Sequence, residues 1–286
     1  MRINLVANVL REDAIESATR AVQWLRHRNI EVGADEELAQ LLGIETLPPD
    51  QVAICDLVVS FGGDGTLIKT AHLCSERGTP ILGVYFGRFG FVTQCKPAEL
   101  GVCLSEFIDG KAKLEERMML QAELVRGDKI VTTLHALNEI ALQRMISARM
   151  LFFSIAIDGK AMTRYPADGI IVSTPTGSTA YNLSAGGPIL DPNFSAIVIS
   201  ALAPHTLSAR PLVLRPDAEI GLTVETQGDA VFSADSQTRM HLLSGDSLLI
   251  KRSPRVARLM SVDSDDFLLK LGERLFWSQS IVGGYQ

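Results

Sequence analysis

Several marks of common functions are missing from this chain. None of its four cysteines, Cys55, Cys74, Cys95 and Cys103, forms a CxxC pair, and no zinc-ligand spacing joins them. Free thiols in a reducing compartment are therefore expected rather than a disulfide framework. No apolar run is long enough to span a bilayer and no signal-peptide pattern opens the chain, so a cytoplasmic protein with no membrane partner is expected. The glycine loop described below lacks the Gly-Lys-Ser/Thr of a Walker A motif. No GxGxxG opens the first helix, which disfavours a nicotinamide or flavin dehydrogenase. Positive charge is also scarce: 27 Lys and Arg against 33 Asp and Glu leave a formal charge of −6. With no basic patch or DNA-reading module, no nucleic-acid partner is expected. A polyanionic substrate would need local cations or a metal ion. Internal repeats and low-complexity tracts are absent too.

What remains is 286 residues with 47% hydrophobic and 21% charged content, enough for a sizeable core in one large domain or two smaller ones. Residues 3–6 read as a strand, and Ile15, Ala18, Val22 and Leu25 place an apolar stripe on a helix. The run 54–61, interrupted by Asp56, has the look of a buried parallel strand. It leads through glycines into a helix expected over 66–77, stopped by Gly78 and Pro80. A strand follows over 80–86, then a helix from Pro97 to Gly110. Such alternation implies a parallel sheet covered by helices. After Gly110 the pattern becomes short strands with turns at Arg126-Gly127-Asp128-Lys129, Asp158-Gly159-Lys160 and Ser244-Gly245-Asp246. The expected fold is α/β plus all-β: a Rossmann-like parallel-sheet domain over 1–110 and an antiparallel, β-sandwich-like domain over 111–262. Helical spacing returns at Phe267, Leu268, Leu271 and Leu275, so 263–286 is expected to be a helix and tail packing on the first domain.

Three segments carry chemistry. Gly62-Gly63-Asp64-Gly65-Thr66 sits between strand and helix, where glycines let backbone N–H groups reach phosphate oxygens. A carboxylate inside a phosphate cradle makes sense as a base or beside Mg²⁺. A tight turn capped by Asp or Thr is the plainer alternative. The adjacent pair Asn138-Glu139 lies in an apolar run. Neighbouring residues of a strand face opposite ways, so both could meet one ligand only at a bulge or strand end. A solvent-facing edge is equally compatible. The third segment, 168–188, follows a strand with Ser173-Thr174-Pro175-Thr176-Gly177-Ser178-Thr179-Ala180-Tyr181 and then Ser184-Ala185-Gly186-Gly187-Pro188. Its hydroxyls suit a sugar and phosphate, and Tyr181 offers a face for a base.

Together the GGDGT loop, the Asn-Glu pair and TPTGSTAY followed by SAGGP resemble the signature segments of the NAD kinase family, in the family's order. Pro204-His205-Thr206-Leu207-Ser208-Ala209-Arg210-Pro211 resembles another. The resemblance spans residues 54–240. It implies NAD held between an α/β and a β domain, with phosphoryl transfer from ATP to the adenosine-ribose 2′-hydroxyl and Asp64 as general base. It assigns phosphate binding to Gly62, Gly63, Gly65 and Thr66. It assigns NAD binding to Asp64, Gly65, Asn138, Glu139, Arg149, Asp168, Thr179, Ala180, Tyr181, Asn182, Leu183, Ser184 and Gln237. Mg²⁺ is expected with ATP, though no protein ligand for it is assigned. Polyphosphate is a second donor to consider, and a homodimer or homotetramer is the implied assembly. Where the family usually has Gly-Asn-Leu-Gly-Phe this chain has Gly87-Arg88-Phe89-Gly90-Phe91, and Tyr165-Pro166-Ala167 replaces a segment that often carries a basic residue. Lys69 and Arg88 are candidate phosphate cations, with exposed surface charge as their other reading.

GGDGT alone is shared with diacylglycerol and sphingoid lipid kinases, but the hydroxyl-rich segment suits a nucleoside better than acyl chains. A non-catalytic dinucleotide-binding regulator is the other alternative, against which the intact Asp64 argues.

Overall fold

The computed structural model describes residues 1–87, 90–92, 95–145, 151–225, 230–262 and 267–275, the side chains of 269, 270, 273 and 274 excepted. The chain divides into two compact units, one of residues 1–116 and 258–286, the other of 117–257.

The first unit alternates strand and helix: β1 (Arg2–Ala7), α1 (Glu12–Arg26), β2 (Glu31–Asp35), α2 (Glu36–Leu42), β3 (Glu45–Leu47), β4 (Leu57–Phe61), α3 (Asp64–Cys74), β5 (Ile81–Val84) and α4 (Leu100–Ile108). Its strands lie in the order β3-β2-β1-β4-β5, all parallel. Residues 258–261 add a further parallel neighbour through Leu259 opposite Ile81. Helix α1 buries Ala14, Ser17, Ala18, Ala21, Val22 and Leu25, a stripe at helical spacing, against Ile3, Leu5, Val59 and Leu82. Glu12 and Asp13 at its start and Arg26 at its end suit the helix dipole.

Three boundaries differ from expectation. The strand expected from residue 54 begins at Leu57, because the Asp56 carboxylate accepts the Arg2 N–H (2.7 Å) and Ile54 lies exposed in the preceding turn. Helix α3 starts at Asp64 and ends at Cys74, one turn ahead of the predicted span, since Gly63 already stands at its cap. Helix α4 starts at Leu100, with Pro97 in the turn before it.

From residue 113 the structure is nearly all strand. The elements are β6 (Lys113–Arg126), β7 (Lys129–Ala136), β8 (Glu139–Arg144), β9 (Leu151–Ile157), β10 (Lys160–Ala167), β11 (Gly169–Ser173), a 3₁₀ turn (Thr176–Thr179), α5 (Tyr181–Ser184), β12 (Ile197–Leu202), β13 (Leu212–Leu214), β14 (Ile220–Glu225), β15 (Ala230–Ala234), β16 (Thr238–Leu242) and β17 (Ser247–Ser261); α6 (Phe267–Arg274) follows. One antiparallel sheet has the order β13-β12-β11-β8-β15-β16. A second antiparallel set runs β10-β9-β14-β17, with the β6–β7 hairpin joined to β17 through β6. Ile140, Leu142, Ile170, Val172 and Phe232 of the first share one core with Phe153, Ile155, Ile220 and Leu222 of the second. This is the two-sheet packing expected of a sandwich. Along β14, Ile220, Leu222 and Val224 are buried while Gly221 and Thr223 alternate outward.

The turns carry the residues their geometry demands. Asp158 and Gly159 both have positive φ (51° and 73°), as a two-residue hairpin turn between β9 and β10 requires. Asp246, after the β16 turn, accepts Arg126 (2.9 and 2.7 Å) and the Leu243 N–H (2.8 Å), and the Arg126 bond holds its carboxyl below the ordinary range. Strand β10 ends its sheet. Near its end Pro166 has no N–H to offer, and its carbonyl accepts the His205 N–H at 3.0 Å.

Candidate functional site

The glycine loop lies at the C-terminal end of β4, where parallel strands deliver their ligand-binding loops. Gly62 donates its N–H to Val84 (2.9 Å), and a side chain there would collide with Thr66. Gly63 and Gly65 are different: both are exposed, and nothing stands within 4 Å of where a Cβ would be. Packing does not demand glycine at either position, whereas close approach of a ligand to the backbone would. Asp64, half-buried in the first turn of α3, takes the Phe91 N–H on Oδ2 (3.0 Å) and the Val92 N–H on Oδ1 (3.3 Å). Those two amides fix the carboxylate's plane. Lys69 points elsewhere, pairing with Asp35 at 3.3 Å. Burial raises the Asp35 carboxyl above its ordinary range, and Lys69 opposes that rise.

In the second unit the site forms around a break in the strands. Strand β7 ends at Ala136 and β8 begins at Glu139, so the Asn-Glu pair stands at a strand end. Asp235, in the turn after β15, accepts the N–H groups of Leu137 (2.7 Å), Asn138 (2.8 Å) and Glu139 (3.0 Å). The Thr174 hydroxyl donates to the Leu137 carbonyl (2.6 Å) and accepts the Gly177 N–H (3.0 Å). Asn138 and Glu139 are buried, yet Asn138 Oδ1, Glu139 Oε2 and Thr176 Oγ1 have no hydrogen-bond partner. Three orphaned acceptors or donors in one loop cluster mark a place prepared for a polar ligand. Burial first, and the Asp235 charge second, push the Glu139 carboxyl up to about 8; the Tyr181 backbone N–H pulls the other way.

Tyr181 opens α5, 37% exposed as a residue, with its hydroxyl donating to Gln143 Oε1 at 3.2 Å. Thr179 and Ala180 are half-buried beside it, Leu183 is half-buried and Ser184 exposed. Gln237 is exposed on the β15–β16 turn, next to Asp235. Asp168 lies at the other end of β11, paired with Arg144 at 2.9 Å. The structure therefore separates it from Asn138 and Glu139 by the length of a five-residue strand, on the order of 15 Å. Asn182 is fully buried and all its amide work is internal: Nδ2 donates to Ser178 and Pro188 carbonyls (3.2 and 3.1 Å), and Oδ1 accepts Ser200 (2.7 Å). It braces the loop, and Gly187 is needed because a side chain there would strike that amide. Arg149 and Arg88 fall outside the described residues.

Two residues were not singled out from sequence. Asp235 is 96 positions from Glu139, and its only signal was a carboxylate closing an apolar strand. Thr176 was one hydroxyl among many. Among the described residues no three His, Cys, Asp or Glu side chains gather to hold a metal ion. Asp64 is the acidic side chain of the glycine loop, which fits an ion carried mainly by a nucleotide's phosphates.

The sequence and structure match known proteins over nearly their whole length. Residues 3–112 match the family description "ATP-NAD kinase N-terminal domain" and residues 137–262 "ATP-NAD kinase C-terminal domain". The chain is 37% identical over 277 residues to the NAD kinase of Moorella thermoacetica, covering 96% of this chain and 89% of that one. It is 38% identical over 285 residues to the NAD kinase of Citrifermentans bemidjiense, covering 97% and 99%. The solved structure of yeast NADH kinase complexed with NADH superposes with a TM-score of 0.91 at 25% identity, covering 100% of this chain and 89% of that one. An Archaeoglobus fulgidus NAD kinase in complex with ATP gives 0.77 at 25% identity, covering 98% and 100%.

Proposed function

Since the chain belongs to the NAD kinase family, we propose that it transfers the γ-phosphoryl group of ATP to the 2′-hydroxyl of the adenosine ribose of NAD, forming NADP and ADP. The observation that carries this reading is Asp64, a carboxylate set in a glycine loop and oriented by two backbone amides. A ribose hydroxyl is too weak an acid to attack unaided, and a placed general base contributes about 10²–10⁴ in rate. The hydroxyl proton passes to Asp64 as the oxygen forms its bond to the γ-phosphorus. The bridging P–O bond breaks in line, and the electron pair leaves with ADP. Gly63 and Gly65 receive phosphate oxygens through open backbone and Thr66 through its hydroxyl, whereas the Gly62 N–H is already spent on Val84, so Gly62 serves only as the close seat of Thr66. Mg²⁺ bound with ATP would neutralise charge on those oxygens; Asp64 is the loop carboxylate near which it would stand. Asn138, Glu139 and Thr176 hydrogen-bond the adenosine with their orphaned atoms, and Tyr181 stacks on the base. Thr179, Ala180, Leu183, Ser184 and Gln237 complete the NAD contacts, with Asp168 serving the far end of the dinucleotide.

ATP is favoured as donor because the Archaeoglobus relative was solved with it. A cytoplasmic homodimer or homotetramer belongs to the same reading, supported by the family resemblance alone. The experiment is NADP formation from NAD, ATP and Mg²⁺, read with an NADP-specific dehydrogenase. Protein-dependent signal is expected. No NADP from NAD with either ATP or polyphosphate would overturn the reading.

A further inference from the structure

The backbone and side chains of residues 137–139 are in opposite conditions. Every backbone polar group there has a partner. The three N–H groups go to Asp235, and the Leu137 carbonyl accepts the Thr174 hydroxyl. The Asn138 carbonyl accepts the Thr174 N–H (2.8 Å) and the Ser173 hydroxyl (3.2 Å), and the Glu139 carbonyl accepts the Asp235 N–H (3.0 Å). Yet Asn138 Oδ1 and Glu139 Oε2, equally removed from water, have none. A backbone fastened at each polar atom beneath unfulfilled side chains is a preorganised binding element, since its geometry is fixed before a ligand arrives.

We propose that Asp235 is the positioning residue for this element: its buried carboxylate gathers three consecutive amides and so sets where Asn138 and Glu139 meet the adenosine of the acceptor nucleotide. The inference rests on the phosphoryl-transfer reading above, which assigns that adenosine to these side chains. Between β7 and β8 the ladder is interrupted, and amides left there would otherwise be buried without acceptors. One carboxylate satisfies three of them through charge-assisted bonds, stronger than neutral ones. The local backbone brings it there: Asp235 and Ser236 both adopt positive φ (49° and 57°), a turn that Asp tolerates better than most residues. The reciprocal Asp235 N–H bond to Glu139 closes the pair. Asp235 touches no ligand in this account; it acts through its neighbours.

The groups around Glu139 give the inference a specific readout. Asp235 faces it from the β15–β16 turn as a like charge, Ser173 stands opposite on β11, and the Tyr181 N–H reaches it from α5. A charge at 235 therefore acts on Glu139 titration as well as on its placement.

The test uses the full chain, with NAD kinetics measured from about pH 6 to about pH 9 for wild type, Asp235→Asn, Glu139→Gln and the double variant. For Asp235→Asn, the Michaelis constant for NAD is expected to rise about tenfold, while kcat changes less than about threefold. The pH at which that constant breaks should move downward, because a like charge is gone. In the Glu139→Gln background the same change should shift no break. A folded Asp235→Asn protein with the wild-type constant and pH profile overturns the proposal. So does a loss confined to melting temperature. Should Asp235→Asn unfold the chain, Asp235→Glu decides: it keeps the charge but displaces the carboxylate from the three amides, and a folded variant with the wild-type Michaelis constant for NAD overturns the proposal. Calorimetric titration with NAD, which needs no turnover, separates this result from failure of the transfer reading. A chain that makes no NADP but binds NAD, and binds it about tenfold more weakly with Asn at 235, fails only the latter.

Discussion

A methyl group on residue 177 would overlap the carbonyl of Asn138, because Gly177 lays the loop after β11 directly on the backbone of the Asn-Glu break. Two segments nearly forty positions apart are thereby pressed into one surface. Gly177→Ala should cost about 1–3 kcal/mol of unfolding free energy, as overpacking against rigid backbone does. Urea unfolding checks this, and the Michaelis constant for NAD should rise in the same variant.

Gly65 gives the opposite sign. It lies in the first turn of α3 with open space around its Cα, and alanine is the better helix former. Gly65→Ala should hold or raise stability, by up to about 1 kcal/mol, while lowering turnover. A variant with wild-type kinetics would show that nothing approaches that backbone.

Asp64→Asn keeps a side chain of the same shape in the loop and loses the base. Turnover should fall by at least about 100-fold, with only a modest drop in melting temperature because the amide can accept one of the two N–H groups that the carboxylate holds. Wild-type turnover in this variant would remove Asp64 from proton transfer.

Tyr181→Ala should raise the Michaelis constant for NAD by about tenfold, the worth of one stacked base, with a smaller change in kcat. An unchanged constant would refute the stacking role.

Glu139 links pH to stability. Its folded value of about 8 lies above the ordinary 4.5, so the folded chain keeps a proton that the unfolded chain releases. The stabilisation is complete below pH 4.5 and is lost as pH rises to about 8. Urea midpoints of Glu139→Gln should lack that decline between the two values. Parallel profiles for variant and wild type would place Glu139 in a wetter setting than its burial indicates.

Much of this was legible in the sequence, for identifiable reasons. The stripe on α1, the glycine loop after β4 and the three named turns follow from local rules of periodicity and backbone freedom; two of the turns close hairpins, and the third, at 244–246, carries the chain from one sheet to the other. The Asn-Glu pair read ambiguously because the strand end that lets both residues serve one ligand is created by Asp235, far along the chain. The start of β4 was misjudged because Asp56 is claimed by Arg2 from the neighbouring strand. Asn182 looked like a contact by its place in a signature segment, but only tertiary packing reveals that it is sealed inside. Local pattern locates the loops; which side chains they turn inward is decided by partners that pattern does not name.

The outer strand β10 has a further consequence for life in a crowded cell. An unpaired margin of a sheet is a template on which foreign strands, or unfolded copies of the same chain, can grow into aggregates. At Pro166 this margin has no amide, and its carbonyl is already taken by His205. The same strand carries the charges of Lys160 and Arg164, the latter bound to Glu225. An invading strand in register would meet a missing donor, an occupied acceptor and charged side chains within eight residues. The proline near the end of this strand thus also guards against misassembly.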